Sequence, residues 1–380
     1  MTEKEKQLGI WLEQIADELN ITPTMLEKAI TSYTAVGTWL SDGIPYDVKI
    51  FPQGSISLGT VIRPISEKDE YDIDLVCLLK NGSTLPLCRI KSLVGDRLKA
   101  HGIYRRMLEE EGKRCWTMQY DEFHMDILPC VPKDMCYMEP HRTAIMLTHK
   151  NDSGEYSPRF SNPYAYHEWF EERMRDILHT AKSNYAVRNN VDIAKVPTYR
   201  VRTPLQKVIQ LLKRHRDILF QENDEDAPIS IIITTLAALA YNGEVNVYEA
   251  LRNIVDKMPQ FIEKRGSIYW IKNPVMPEEN FADKWNINPN KPIAFYSWLE
   301  KVKKDLITDP LALLGQDSIA YQYKRVLGKS PVERAVNALA NNTRSERQQG
   351  NLYMNGLAGG LTAKPTVTSK PIKDHVFYGS

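Results

Sequence analysis

A pair of acidic residues inside an apolar stretch is the feature of this sequence that most needs a chemical explanation. Asp72 and Asp74 lie in EYDIDLVCLL, residues 70–79. In a β-strand successive side chains point to opposite faces, so the two carboxylates share one face while Ile73 and Leu75 point the other way. Neighbouring anions repel each other unless a cation lies between them. The pair therefore predicts a cation-binding face, although a solvated strand face would also explain it.

A third aspartate stands in a similar setting further along the chain. Asp126 lies in FHMDILP, where apolar residues point to one face of a strand and His124 and Asp126 to the other. Three carboxylates converging on adjacent strands would hold two Mg²⁺ ions about 3.5–4 Å apart, an arrangement that supports in-line phosphoryl or nucleotidyl transfer. Mn²⁺ could substitute for Mg²⁺. We therefore interpret Asp72, Asp74 and Asp126 as metal ligands and His124 as a hydrogen-bonding partner.

A glycine and a serine precede the acidic pair in FPQGSISLGT. Gly54 and Ser55 stand at the predicted junction of a strand and a short helical segment. Exposed backbone N–H groups at such a junction, with a hydroxyl beside them, suit a phosphate. An ordinary turn is the competing interpretation, so this motif gains weight only beside the aspartates.

The elements that must position these residues form an α+β pattern in the first half of the chain. Apolar residues at helical spacing predict a helix near the start, and Thr22 and Pro23 begin a second helix that reaches about Trp39. Strands are predicted at YDVKIFP, at the acidic pair, at CWTMQY and at FHMDILP. Helices mixed with a small sheet indicate the α+β class.

The second half of the sequence predicts helices. In TPLQKVIQLLKRHRDILF the residues Gln206, Gln210, Lys213 and Asp217 form a polar stripe beside an apolar face. Such a stripe is expected on a helix that lines a wet cleft, and an exposed surface lysine would show the same pattern at Lys213. PISIIITTLAALAY predicts a further helix.

Changes in composition and in predicted secondary structure divide the chain into three parts. We predict a catalytic core with N-terminal helices over residues 1–200, a helical domain over 201–342 that completes the cleft, and a flexible tail over 343–380. The last residues are rich in Gly, Thr, Pro and Lys and end in HVFYGS.

Composition narrows the class of protein. The net charge of +1, from 49 basic and 48 acidic residues, argues against activation by duplex DNA. Five cysteines in 380 residues favour reduced thiols over a disulfide framework. The start of the chain has no signal-peptide pattern, and the apolar run at residues 229–241 is too short to span a bilayer. We expect a cytoplasmic protein without membrane attachment.

Taken in order, QGSISLGT, EYDIDLV and FHMDILP resemble the pattern of the DNA polymerase β nucleotidyltransferase superfamily. More narrowly they resemble the bacterial cGAS/DncV-like nucleotidyltransferases, and the segment RTPLQKVIQLLKRHRD followed by PISIIITTLA resembles the helical half of that subfamily. The resemblance covers residues 52–241. It implies a polymerase β-like core, a mostly helical second domain, and an active site in the cleft between them.

The resemblance also assigns roles to individual residues. It implies that Asp72, Asp74 and Asp126 are catalytic metal ligands and that Gln53, Gly54 and Ser55 hold the donor triphosphate. Lys213 resembles the family lysine that reaches the triphosphate. Ser230 matches a serine that contacts the same phosphates. In RFSNPYAYHEWF, Asn162 matches a segment near the base pocket.

The activity that the resemblance implies is synthesis of a cyclic di- or trinucleotide second messenger from NTPs, purine NTPs above all, with release of pyrophosphate. The implied setting is anti-phage defence, with a ubiquitin-transferase-like partner that acts on the tail at residues 360–380. Two alternatives stay open: a template-independent enzyme making linear products of the 2′-5′ oligoadenylate kind, and an inactive nucleotide-binding scaffold. A zinc site built from Cys130, Cys136, His141 and His149 is disfavoured by its spacing.

Overall fold

A mixed β-sheet forms the centre of the first half of the fold. The computed structural model describes residues 1–66, 70–133, 143–196, 201–355, 361–362 and 369–372. Within these ranges six strands pair in the order β1-β2-β4-β5-β6, with β3 on the first half of β4. The strands β2 and β4 are parallel, and the other pairs are antiparallel. The strands are β1 (Val48–Pro52), β2 (Tyr71–Leu79), β3 (Trp116–Gln119), β4 (Phe123–Pro132), β5 (Ile145–Lys150) and β6 (Tyr156–Ser161).

Helices cover one face of this sheet. They are α2 (Pro23–Gly43), α4 (Leu87–Ala100) and α5 (Gly102–Met107), while the short α3 (Gly54–Leu58) follows β1 directly. Ile73, Leu75, Met125 and Ile127 point into this layer and are fully buried. The alternation of each strand therefore places Asp72, Asp74 and Asp126 on the opposite face.

The opposite face carries a smaller apolar cluster next to the aspartates. Val76, Leu128, Cys130, Ile145 and Leu147 pack together there. They continue the face of Asp74 and Asp126 toward the carboxyl ends of β2 and β4, since residues two apart share a face. This cluster is a buried apolar surface next to the polar face that carries the aspartates.

A helical layer packs around the largest hydrophobic cluster. Its main helices are α1 (Glu3–Leu19), α6 (Pro163–Glu172), α7 (Arg175–Asn189), α8 (Pro204–Leu219), α9 (Ser230–Ala240), α10 (Val247–Lys257), α11 (Asn290–Val302), α12 (Asp309–Ala312), α13 (Gln316–Leu327) and α14 (Lys329–Gln348). A π-helical turn at Lys303–Thr308 joins α11 to α12, and a small hairpin, β7 (Glu263–Arg265) and β8 (Ile268–Trp270), precedes α11. The α+β class with a helical second half is confirmed.

The packing crosses the boundaries predicted from the sequence. The first helix, α1, contributes Leu8, Leu12 and Ile15 to the cluster of the helical layer. It packs against α8, α10 and α14 rather than against the sheet. The helices α6 and α7 contribute to the same cluster, and α14 runs through the predicted boundary at residue 342.

The chain after α14 turns back on itself. Short strands β9 (Tyr353–Asn355), β10 (Leu361–Thr362) and β11 (Ser369–Pro371) pair in the order β10-β9-β11. The amide of Ile372 then donates to the carbonyl of Leu352 at 2.9 Å. Residues 373–380 lie outside the described residues. In the described part of the chain, no helix is both long enough and apolar enough to cross a membrane.

Candidate active site

The register of β2 and β4 brings the three aspartates together. Asp74 lies directly opposite Asp126, and Asp72 lies opposite His124. Asp72 is exposed, whereas Asp74 and Asp126 are half-buried. The strand alternation thus gathers three carboxylates on one face, and their pairing across two parallel strands is a contact that only the fold could fix.

Burial and like charge make the apo site unfavourable for an ionised Asp74. Burial, together with the charges of Asp126 and Asp72, raises the pKa of Asp74 to about 6, against the opposing charge of Lys213. The protein alone therefore leaves negative charge at this face only partly compensated. A bound cation would remove that penalty.

Thr117 and His124 are the polar neighbours of Asp126 and Asp72. The hydroxyl of Thr117 on β3 donates to Asp126 Oδ1 at 2.5 Å. His124 Nε2 lies 2.8 Å from Glu70 Oε2, and its Nδ1 lies 4.0 Å from Asp72 Oδ1. His124 is therefore the polar partner of nearby carboxylates that the sequence predicts.

The glycine-serine turn lies directly against Asp74. Gly54 has φ +61°, and a Cβ built at this residue would lie 2.7 Å from Asp74 Oδ2. The amide of Gln53 donates to the carbonyl of Asp74 at 2.8 Å. Gln53 makes no side-chain cap on α3, so it leaves the first amides of α3, including Ser55, without that partner. The turn thus needs glycine both for its backbone conformation and for space.

Lys213 is the buried cation that faces this turn. Its side chain is 5% exposed, and Nζ donates to the carbonyl of Thr60 at 3.1 Å and to Thr60 Oγ1 at 3.3 Å. Burial, together with the charge of Arg216, lowers its pKa to about 7, while Asp217 and Asp74 oppose the shift. The alternative that Lys213 is an exposed surface lysine is wrong. Because an ammonium has three N–H donors and Thr60 takes two, one donor is left for a ligand.

The expectation that the polar stripe lines open water is wrong for two other members. Gln206 is 1% exposed and Gln210 is 0% exposed, and both donate to the backbone that follows α3. A buried amide must be paired, so periodicity alone could not distinguish a wet surface from a buried polar contact.

Ser230 lies at the start of α9, close to the same charges. Its hydroxyl accepts from Arg216 Nη1 at 3.1 Å, and Arg216 also donates to the carbonyl of Pro228. Because Arg216 acts on the pKa of Lys213 as well, these groups form one cluster on α8 and α9. Sequence reasoning missed the roles of Arg216, Thr60 and Thr117, although each stands inside a quoted segment.

Asn162 is placed by the fold for a structural task. It is 2% exposed and caps α6, accepting from the amide of Ala165 at 3.1 Å and from Thr143 Oγ1 at 2.8 Å. Its Nδ2 is buried without a hydrogen-bond partner in the described part of the chain. Its predicted role in choosing a base stays a prediction.

A cleft of about 520 Å³ opens at the start of α9, and the three aspartates, Gly54 and Lys213 are not among its lining residues. Ile229 and Ile231, which flank Ser230, line one side, and the exposed Phe160 of β6 lines another. Arg114 lies at the edge next to Cys115, whose thiol is 3.6 Å from Thr117 Oγ1. The cleft also exposes arginine and carboxylate groups to an occupant. These are Arg159, Glu278, Glu279 and Asp283.

The carboxylate set suits a hard divalent cation. All donors are oxygens, which Mg²⁺ prefers, and Mg²⁺ sites combine a few carboxylates with substrate phosphates rather than a complete protein cage. Within the described ranges, the Asp, Glu, His and Cys side chains form no group of three that closes around an ion. A pair of Mg²⁺ ions at Asp72, Asp74 and Asp126 therefore stays a prediction.

Two members of the disfavoured zinc set, Cys130 and His149, lie among the described residues. Cys130 is fully buried, and its thiol contacts the carbonyl of Cys77 at 3.6 Å. Cys136 and His141 lie outside the described residues.

Paired strand carboxylates, a glycine-serine turn that touches them and a buried lysine define a nucleotidyltransferase with a polymerase β-like core. The comparisons agree. Residues 48–129 match the family of the nucleotidyltransferase domain of cyclic GMP-AMP synthase DncV-like proteins. A c-di-GMP synthase of Roseivirga ehrenbergii is 30% identical over 98% of this chain and 97% of its own length.

Two further matches come from Bradyrhizobium diazoefficiens. Its cyclic dinucleotide synthase CdnG is 26% identical over 72% of this chain and 69% of that protein. The structure of the CD-NTase CdnG of this organism in complex with GTP gives a TM-score of 0.69 at 22% identity, covering 88% of this chain and 99% of that one. The chain belongs to the DncV-like nucleotidyltransferases.

Proposed function

We propose that this protein is a cyclic oligonucleotide synthase that uses GTP and makes a cyclic dinucleotide. Membership in the family supports nucleotidyl transfer, and the relatives named as a c-di-GMP synthase and a cyclic dinucleotide synthase support a cyclic product. The observation that carries the proposal is the pairing of Asp74 with Asp126 across β2 and β4, beside Gly54 and Lys213.

The residues divide the work of binding and transfer. Asp72, Asp74 and Asp126 would hold two Mg²⁺ ions, which when bound acidify an attacking hydroxyl and stabilise the leaving pyrophosphate. Lys213 would bind the triphosphate with its remaining N–H donor, together with Ser230 and the amides near Ser55.

The reaction needs a proton acceptor and two rounds. Asp126 Oδ1 is engaged by Thr117, so Asp126 Oδ2 would accept the proton of the attacking ribose hydroxyl. The hydroxyl oxygen then bonds to the α-phosphorus as the bond to pyrophosphate breaks. A second transfer within the linear intermediate closes the ring and releases a second pyrophosphate.

The cleft supports guanine as a base. Guanine offers two adjacent N–H donors on its Watson–Crick edge, which a carboxylate can accept, and two acceptors in O6 and N7, which an arginine can satisfy. Glu279 and Arg159 provide both kinds of group, and Phe160 offers a ring on which a base can stack. Adenine has a single exocyclic donor and would leave part of this set unpaired.

The test is to incubate the protein with Mg²⁺ and each NTP alone or in mixture, treat with phosphatase, and identify the products by mass spectrometry. A phosphatase-resistant cyclic product from GTP alone is expected. A ladder of linear dephosphorylated oligomers would replace the proposal with a template-independent polymerase. If neither product forms while a nonhydrolysable GTP analogue binds, the protein is a scaffold. Asp74→Asn is the control for metal-dependent chemistry.

We also propose that the product acts in anti-phage signalling and that the tail at residues 360–380 meets a ubiquitin-transferase-like partner. These proposals rest on the family resemblance and on the Phe377-Tyr378-Gly379 end of the sequence. Plaque counts on cells with wild-type protein or Asp74→Asn test the first. Loss of covalent adducts after deletion of the last residues, in cells that contain the partner enzymes, tests the second.

A further inference from the structure

One face of α8 is joined to the backbone that leaves α3. Four side chains on this face donate to consecutive parts of a segment that we call the exit segment, residues 58–64. The contacts are Gln206 Nε2 to Leu58 O at 2.9 Å, Gln210 Nε2 to Val61 O at 2.8 Å, Lys213 Nζ to Thr60 O at 3.1 Å, and Arg214 Nη2 to Arg63 O and, at 3.3 Å, to Pro64 O. The spacing of four, three and one residues keeps all four donors on one helix face.

These contacts are made in a dry environment. The four side chains are at most 5% exposed. A carbonyl left without its donor in such a place costs more than the bond itself contributed, so the exit segment has one favoured position against α8. The exit segment is also joined to the glycine-serine turn, because the amide of Thr60 donates to the carbonyl of Ser55 at 2.9 Å.

Gln210 differs from Gln206 and Lys213 in the groups that its side chain binds. Gln206 is also half of the capping box that begins α8, and Lys213 belongs to the active site. Gln210 uses both amide hydrogens on groups outside α8, namely Val61 O and Asn20 Oδ1, the second at 2.7 Å. Gln210 is 0% exposed, so its side chain is committed to the position of the exit segment and the end of α1.

We propose that Gln210 is a positioning residue for nucleotidyl transfer. By fixing Val61, it sets the place of Thr60 and Ser55 relative to Lys213, one helical turn further along α8, and so the distance between the triphosphate site and the aspartates. It does not touch the substrate. This role rests on the proposed function, because it needs a triphosphate at Ser55 and Lys213.

The test compares Gln210→Met, which keeps length and volume but removes the donors, with a matched variant elsewhere. Gln322→Met is that control: Gln322 is 8% exposed and donates to the carbonyl of Asp305 at 3.2 Å, in the helical layer away from the exit segment. Both variants should lower the melting temperature. Only Gln210→Met should lower kcat/KM for GTP, by about 10- to 100-fold, since a misplacement of about 1 Å costs on the order of 100-fold.

The kinetic split separates positioning from stability. A lower kcat in folded Gln210→Met, with the affinity for a nonhydrolysable GTP analogue changed much less than kcat/KM, supports positioning. Wild-type kcat/KM together with a lowered melting temperature overturns it. If Gln210→Met does not fold, Gln210→Asn, which keeps an amide one methylene shorter, is measured against the same two outcomes. If the wild-type protein binds no NTP, the proposed function fails first and the positioning role falls with it.

Discussion

Replacing Asp74 by Asn should make the metal-free protein more stable while it removes activity. Burial and the neighbouring aspartates raise the pKa of Asp74 from its ordinary value of 3.8 to about 6. At about 1.36 kcal/mol per pKa unit, this corresponds to a cost of about 3 kcal/mol once the carboxyl is ionised, as an upper bound. Asparagine has nearly the same shape and no charge, so Asp74→Asn should recover about 1–3 kcal/mol at neutral pH.

The pH dependence gives the sign of this effect. A raised folded-state pKa means that the folded protein binds more protons than the unfolded chain between pH 3.8 and about 6. Wild-type stability from this group therefore falls as pH rises through that window and is constant above it. The difference between Asp74→Asn and wild type should be small near pH 3.8 and largest above pH 6.

Thermal melts in EDTA from acid to neutral pH measure this difference, with an expected rise in melting temperature of about 1–4 °C for the variant at neutral pH. Added Mg²⁺ should stabilise the wild-type protein more than the variant, because it binds the folded state through Asp74. Asp152→Asn is a control of opposite sign, since a hydrogen bond from Lys113 lowers the pKa of Asp152. A variant less stable than wild type at neutral pH in EDTA would refute the reasoning.

Three further predictions concern the same site. Lys213→Met should abolish the rise in wild-type stability between about pH 7 and 10.5 that a buried lysine of pKa about 7 produces, measured by urea unfolding, and should weaken GTP-analogue binding. Gly54→Ala should destabilise by about 1–3 kcal/mol and inactivate, because it strains the turn and crowds Asp74. Phe160→Ala should weaken analogue binding by about 10-fold through lost stacking, measured by calorimetry.

Matched variants separate these causes. Gly154 also has positive φ, at +86°, but nothing lies within 4 Å of a Cβ there, so Gly154→Ala reports strain without crowding. Equal loss of activity in both glycine variants would contradict the close approach at Asp74. For Lys213→Met, an unchanged pH profile of stability would contradict its burial. Binding of the analogue unaffected by Phe160→Ala would place the base elsewhere.

The local pattern of the site could be predicted from the sequence, and its assembly could not. The alternation in EYDIDLV places Asp72 and Asp74 on one face because the side-chain period of a strand is two. The register that sets Asp74 against Asp126 depends on a parallel pairing of distant segments, which no local pattern fixes.

Two further misses have physical reasons. Strand β6 (Tyr156–Ser161) was not predicted because it is an edge strand with mostly exposed side chains and therefore no apolar alternation. The polar stripe of α8 was interpreted as wet, since a glutamine that is buried against a carbonyl and one that faces water look the same in sequence. The burial of Gln210 became visible only with the fold.

The place of α1 has a consequence for how the chain is made. Helix α1 packs against α10 and α14, which are synthesised well after it. During synthesis the apolar side of α1, with Trp11 and Leu12, lacks these packing partners while the sheet and its helices assemble. Closing contacts over such a separation is slow, so the complete helical layer forms only once synthesis has passed α14. A prematurely terminated chain would retain the aspartates and lack the layer around them, so incomplete translation should yield no active enzyme.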